Sequence, residues 1–317
     1  MRMHLANLAG FVCAIIASLW AATESTPEQD AREVLKQQLV ADVDIIELDG
    51  RRGLRDSAGN FTALGNYRRI ISLSSVADGL LLALSEPDRI AAYSPYAAQS
   101  PQSYRYAGTK AMTMRMEPEE IIAMDGDLLL AHHLSRPDHT AKLRESGLQV
   151  FDLGEMKGMQ TLLPNIITVA TLLGHGERGA RLAHLVRRRM QHIADDVTYR
   201  PSAIYVGIHG DKLYGGTRGT SYADVLAAAG LRDLAADEFT GWPAYNSEHL
   251  LQLDPEVLVT QIGMGSTLCR HPGLDRMRGC TGEGRIVELP AGLLVSPGLD
   301  MVEAAEQLHE LVFNPTQ

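Results

Sequence analysis

From Arg68 onward, short apolar runs alternate with helical patterns, and the alternation occurs twice. In the first series residues 69–74 read as a buried strand, 76–84 as a helix and 89–93 as a strand. Residues 119–124 follow Pro118 as a short helix, 127–131 form a strand, 138–146 a helix stopped by Gly147, and 148–153 a strand. After Arg200-Pro201 the pattern restarts, with strands at 203–208, 256–260 and 285–289. Helices are predicted there at 222–229, 248–253 and 299–313. Strands separated by helices of this length pair in parallel, which makes each series an α/β sheet. Between the two series lie helices at 160–173 and 177–196, broken at Gly174-His175-Gly176. In the second, Leu182, Leu185, Val186, Met190 and Ile193 share one face. Its roughly 20 residues at 1.5 Å each span about 30 Å, enough to cross a small domain. The order is lobe, crossing helix, lobe, and Arg187-Arg188-Arg189 is expected on the solvated side of that helix.

A length of 317 residues leaves room for two cores. The chain carries 29 basic and 39 acidic residues, a formal charge of −10, which argues against nucleic acid and anionic lipid as partners. Residues 5–22 are apolar, follow Arg2 and precede Thr23-Glu24-Ser25-Thr26, the layout of a secretory signal, with an uncleaved anchor as the other reading. Export is expected by either route. Cys13 lies inside this segment behind Phe11 and Val12, which does not suit lipidation. In an oxidising compartment the remaining Cys269 and Cys280 are best read as one disulfide, with two free thiols as the alternative. Thr26-Pro27-Glu28-Gln29 opens a helix predicted to run to about Val40, and turns at Asp49-Gly50 and at 57–60 mark a hairpin extension. The expected divisions are 1–23 (signal or anchor), 24–66 (extension), 67–155 (N-lobe), 156–198 (connecting helices) and 199–317 (C-lobe).

Enzyme signatures are weak. Gly174-His175-Gly176-Glu177-Arg178-Gly179 matches GxGxxG, but a helical run precedes it where the dinucleotide motif needs a strand. The run from Gly210 to Thr217 resembles a phosphate loop but has glycine where the phosphate-binding lysine belongs. Neither GxSxG nor HExxH occurs. What remains are polar and aromatic residues after strands, where open α/β sheets bind ligands. His132 and His133 follow one strand, and Tyr96, Tyr104 and Tyr106 follow another. In the second series stand His209, Tyr214, Arg218 and Trp242. Aromatic rings can stack on a flat ligand, Arg218 can pair with a carboxylate, and a histidine or tyrosinate can reach a bound metal.

The chain resembles the class III substrate-binding proteins of ABC importers, which handle cobalamin, ferric siderophores and haem. The resemblance is carried in order by Arg69-Ile-Ile-Ser-Leu-Ser-Ser, by the stretch from Met116 to Ala131, by Lys142-Leu-Arg-Glu-Ser-Gly-Leu-Gln-Val, by the stretch from Thr220 to Gly230 and by that from Trp242 to Pro255. It implies two Rossmann-like lobes joined by a single long crossing helix, with the ligand in the cleft between lobes. It implies a non-catalytic monomer without resident cofactor or metal, whose small-molecule ligand is itself a metal complex: haem, a ferric siderophore or cobalamin. It places Glu119 and Glu248, one on each lobe, as docking residues for the ABC permease. Trp242-Pro243 matches a pocket-lining pair of a cobalamin-binding member, whereas Thr113 and His132 stand where that member has aromatic residues. Cys269-Arg-His-Pro-Gly-Leu is similar to a stretch of haem-binding members, in which case Tyr96 is an axial ligand. The rival readings are an NAD-dependent oxidoreductase using the loop at Gly174 and an exported metal chaperone using His132 and His209.

Overall fold

The computed structural model describes residues 43–100, 102–111, 117–132, 137–294 and 296–315. The apolar segment at 5–22 with Cys13, the helix predicted at 26–40, Thr113 and His133 lie outside the described residues. A three-stranded antiparallel sheet comes first, formed by β1 (Ile46–Leu48), β2 (Arg51–Arg55) and β3 (Phe61–Ala63). Its turns fall at Asp49-Gly50, both with positive φ, and around Gly59.

The N-lobe follows as β4 (Ile70–Ser72), α1 (Ser75–Leu84), β5 (Ile90–Ala92), α2 (Pro118–Ile122), β6 (Leu128–Ala131), α3 (Pro137–Glu145) and β7 (Gln149–Asp152). Its strands lie in the order β5-β4-β6-β7 and every neighbouring pair is parallel. All four residues of β6 are buried, as expected of a central strand with helices on both faces. Ser74 caps α1 by accepting from the Ala77 amide at 3.2 Å, which supplies one of the donors the first helical turn leaves open. Ile71, Ile121, Leu129, Leu143 and Val150 form the core around this sheet. Each such side chain contributes about 1.5–3 kcal/mol by leaving water.

The connection is two antiparallel helices, α4 (Met159–Leu172) and α5 (Gly176–His192), packed along their lengths. Gly174, at φ +79°, ends the first, and Gly179 lets the helices close, since a Cβ there would meet that of Ala170 at 2.2 Å. The GxGxxG letters therefore join helix to helix, with no strand before them, and the dinucleotide reading fails on geometry. At the start of α4 the Met159 amide donates to Asp224 at 2.6 Å, tying the connection to the second lobe.

The C-lobe contains β8 (Ser202–Tyr205), β9 (Gly207–His209), β10 (Lys212–Tyr214), α6 (Ser221–Ala228), β11 (Arg232–Asp233), β12 (Ala244–Tyr245), α7 (Ser247–Leu253) and β13 (Val257–Gln261). It closes with α8 (Gly265–Arg270), α9 (Arg278–Thr281), β14 (Arg285–Leu289), α10 (Ala291–Leu294) and α11 (Asp300–Phe313). Its parallel sheet runs β11-β8-β13-β14, and β9, β10 and β12 form a separate antiparallel sheet. The strand expected over 203–208 thus breaks at Val206, whose amide donates to Val259, and the chain turns into a hairpin instead. Within each lobe the parallel strands take the same order, second-first-third-fourth. Among the described residues no helix is long and apolar enough to cross a membrane.

Candidate functional site

In that strand order the connections leave the first and third strands in opposite directions and open a crevice at their carboxyl ends. The crevice lies between β4 and β6 in the N-lobe and between β8 and β13 in the C-lobe.

At the N-lobe edge His132 directly follows β6, and Tyr96, 42% exposed, follows β5. Strands β5 and β6 flank β4, so their ends stand about 10 Å apart. The loop that carries Tyr96 is fixed from beneath by Asp78 of α1, whose carboxylate accepts from the Ser94 amide at 2.9 Å and the Ser94 hydroxyl at 2.5 Å. Burial pushes the Asp78 carboxyl above its ordinary value, against hydrogen bonds from Ser72 and Ser94 that favour the charge. On its far side the same loop reaches the C-lobe, where Gln102 donates to Glu303 of α11. Tyr106 packs edge-on against Tyr93, with ring centres 4.8 Å apart, and burial raises both phenols. Tyr104 is a surface residue.

At the C-lobe edge the structure brings three of the sequence candidates together. Strand β10 and the residues after it run alongside residues 241–245: Tyr214 lies opposite Ala244, the Gly215 amide donates to Pro243 and the Gly241 amide to Arg218. Tyr214, Arg218 and Trp242 therefore share one short ladder. Behind them the Trp242 indole stands edge-on to Tyr222 (5.2 Å), Tyr222 stacks on Tyr205 (4.0 Å), and Tyr205 meets Tyr214 edge-on (6.4 Å). A Cβ on Gly216 would come within 2.4 Å of Tyr222 and 3.0 Å of Trp242, so the row of rings needs glycine there. Burial pushes Tyr205 up to about 12 and raises Tyr222 as well. Those two phenols stay neutral and act by packing. Trp242 is 59% exposed and Arg218 is also exposed, which leaves a flat apolar face beside a cation.

His209 sits apart, at the exposed end of the β9–β10 hairpin opposite Lys212. His132 and His209 belong to different lobes. Among the described residues no three His, Cys, Asp or Glu side chains group as metal ligands. Sequence reasoning missed Ile262, 61% exposed just past β13. The turn after it is held by Glu288, which accepts from the Gly263 and Gly265 amides at 3.0 and 2.7 Å. The available signal was a lone apolar residue, Ile262, standing between Thr260-Gln261 and Gly-Met-Gly at the end of a strand. A pocket of about 710 Å³ lies at the opposite, amino end of the C-lobe sheet, lined by Tyr199, Glu256, Arg278 and Arg285, away from the crevice.

Glu119 and Glu248 each occupy the first turn of a helix, α2 and α7. Both helices precede a central strand, β6 and β13, so their first turns lie toward the carboxyl ends of the sheets. Glu119 pairs with Lys142 at 3.1 Å, and its carboxyl is lowered by a backbone amide and by that lysine. Asn246 caps α7 by accepting from the His249 amide at 2.8 Å. Cys269 and Cys280 are joined in a disulfide that closes the loop between α8 and α9.

The sequence profile of the periplasmic binding protein family matches residues 70–293, both lobes and the helices between them. The chain belongs to that family. It is 24% identical over 260 residues to the cobalamin-binding protein of Halobacterium salinarum, covering 78% of the present chain and 70% of that protein. It is 20% identical over 216 residues to the uncharacterized ABC transporter substrate-binding lipoprotein YvrC of Bacillus subtilis, covering 65% and 68%. Among solved structures it is similar to the apo form of the periplasmic haem-binding protein RhuT from Roseiflexus, with a TM-score of 0.68 at 22% identity, covering 79% of this chain and 99% of that one. The last likeness is one of fold. For this binding protein the sequence expectation of two α/β lobes around connecting helices holds.

Proposed function

We propose that this periplasmic binding protein captures an iron complex (haem or a ferric siderophore) or a cobalamin-type ligand and delivers it to the permease of an ABC importer. The observation that carries the reading is the C-lobe row of rings ending in exposed Trp242, with Arg218 beside it, at the crevice end of the sheet. A tetrapyrrole suits it best, because a planar ring can lie on the indole while a peripheral carboxylate pairs with the guanidinium. Tyr96 and His132, at the same end of the other sheet, are the groups able to approach the metal of such a ligand. The relatives support this range: one is named for cobalamin, a structural neighbour for haem, and another relative as an ABC transporter lipoprotein. In this reading residues 5–22 direct export as a cleaved signal or retained anchor, the protein acts as a non-catalytic monomer, and Glu119 and Glu248 dock on the permease.

The test is titration of the purified full chain with haemin, cyanocobalamin and ferrichrome, followed by absorbance. One of the three is expected to bind saturably, and Trp242→Ala to weaken it by about 3- to 10-fold. If haemin is the ligand, Tyr96→Ala removes the shift of its Soret band. Failure of all three to bind overturns the reading.

A further inference from the structure

The loop closed by the disulfide touches two elements of the C-lobe, the β9–β10 hairpin and the first turn of α7. His271, two residues after Cys269, places Nε2 3.4 Å from the Asp211 carbonyl at the tip of the β9–β10 hairpin. Its Nδ1 lies 3.4 Å from the Ser247 hydroxyl, the first residue of α7 and the neighbour of Glu248. The fit is close on that side: Ser247 donates to the Pro272 carbonyl at 2.7 Å, and a Cβ on Gly273 would stand 3.3 Å from that of Ser247. Beneath, Leu274 and Met277 of the loop share one buried cluster with Leu213 of the hairpin and Leu250 of α7.

We infer that His271 is a positioning residue that braces the hairpin carrying His209 and Tyr214 against the first turn of α7, which carries Glu248. The disulfide-closed loop is then the part through which the ligand side of the C-lobe and its docking side are held in one register. The meaning of the two elements rests on the function proposed above; the brace itself does not.

The two contacts can be separated by substitution. The Asp211 carbonyl only accepts, so the hairpin contact uses a hydrogen on Nε2, whereas the Ser247 hydroxyl lies between Nδ1 and the Pro272 carbonyl and serves only the α7 side.

The experiment is amide hydrogen exchange on the ligand-free full chain at a single pH, read at residues 208–213 and 247–250. In His271→Ala protection of both segments is expected to fall together relative to wild type, by about 2- to 10-fold, the worth of one hydrogen bond. In Ser247→Ala the α7 segment should lose protection while the hairpin keeps it. Unchanged protection of either segment in His271→Ala, or an unchanged α7 segment in Ser247→Ala, overturns the inference. Failure of haemin, cyanocobalamin and ferrichrome to bind would remove the functional reading and leave the exchange result standing.

Discussion

The two lobes repeat one strand order, and each holds its crevice residues with a carboxylate, buried Asp78 on Ser94 and half-buried Asp233 on the Thr217 hydroxyl. They differ in what is added: one ring pair in the N-lobe, a row of four rings in the C-lobe. In the N-lobe a long loop after β5 carries Tyr96, and a single buried carboxylate, Asp78, holds it through Ser94. In the C-lobe the corresponding connection is expanded into an antiparallel sheet, and Tyr214, Arg218 and Trp242 are held by stacked rings and a hydrogen-bonded ladder. Polar anchoring is cheap in sequence but sensitive to protonation. Aromatic packing is indifferent to pH and sensitive to volume. Substitutions at the carboxylates and at the rings should therefore fail in different ways.

The largest effect is expected at Tyr222. It is buried between Tyr205 and Trp242, and Tyr222→Ala should cost about 3–5 kcal/mol of unfolding free energy in urea, while Tyr222→Phe keeps the stack and costs about 1 kcal/mol. Equal losses in the two variants would show that the hydroxyl, and not the ring, holds the C-lobe site. Asp78→Ala comes next at about 1–3 kcal/mol, because it strands the buried amide and hydroxyl of Ser94. Its pH behaviour is the sharper contrast. Burial raises the folded-state value of this carboxyl, so the unfolded chain releases the proton first as pH rises. The wild-type protein accordingly loses stability between the ordinary carboxylate value and the raised one, and the loss levels off above. Asp78→Asn lacks that step. Denaturation curves across this range should show wild type gaining on Asp78→Asn as pH falls, whereas the gap between wild type and Tyr222→Phe stays flat. A flat gap for Asp78→Asn would mean that its carboxyl is not perturbed in the folded protein.

The same contrast explains what the sequence made legible. Buried strands such as β6 announce themselves as continuous apolar runs, and Gly147 and Gly230 mark helix ends, so the alternation of elements and the two lobes can be read directly. Strands β9 and β10 have three residues each, too short for period-two alternation to stand out, and Gly215-Gly216 beside them suggest a loop. Tyr214, Arg218 and Trp242 can be selected one by one as residues after strands, but their meeting depends on pairing between β10 and β12, some 30 residues apart in the chain. Asp78 was illegible for another reason. An acid in the first turn of a helix is adequately explained by the helix dipole, and only burial beside Ser94 shows its second task.

The smallest effect on stability, and the most informative on function, is expected at the two glutamates. Glu119 is exposed and already neutralised by Lys142, while among the described residues no basic side chain pairs with Glu248. Exposed pairs add little to folding, so Glu119→Lys and Glu248→Lys should leave the melting temperature nearly unchanged. If these carboxylates meet basic residues of a permease, the unpaired one offers its full charge, and the paired one must first give up its lysine. Uptake in cells with the native permease should then fall further with Glu248→Lys than with Glu119→Lys, and Lys142→Ala should raise uptake or leave it unchanged. The order follows from electrostatics alone, since both residues occupy the first turn of a helix. Equal loss from both reversals would mean that Lys142 does not compete with the permease. Undiminished uptake in both would remove docking from Glu119 and Glu248 and leave Lys142 as a surface partner with no part in transport.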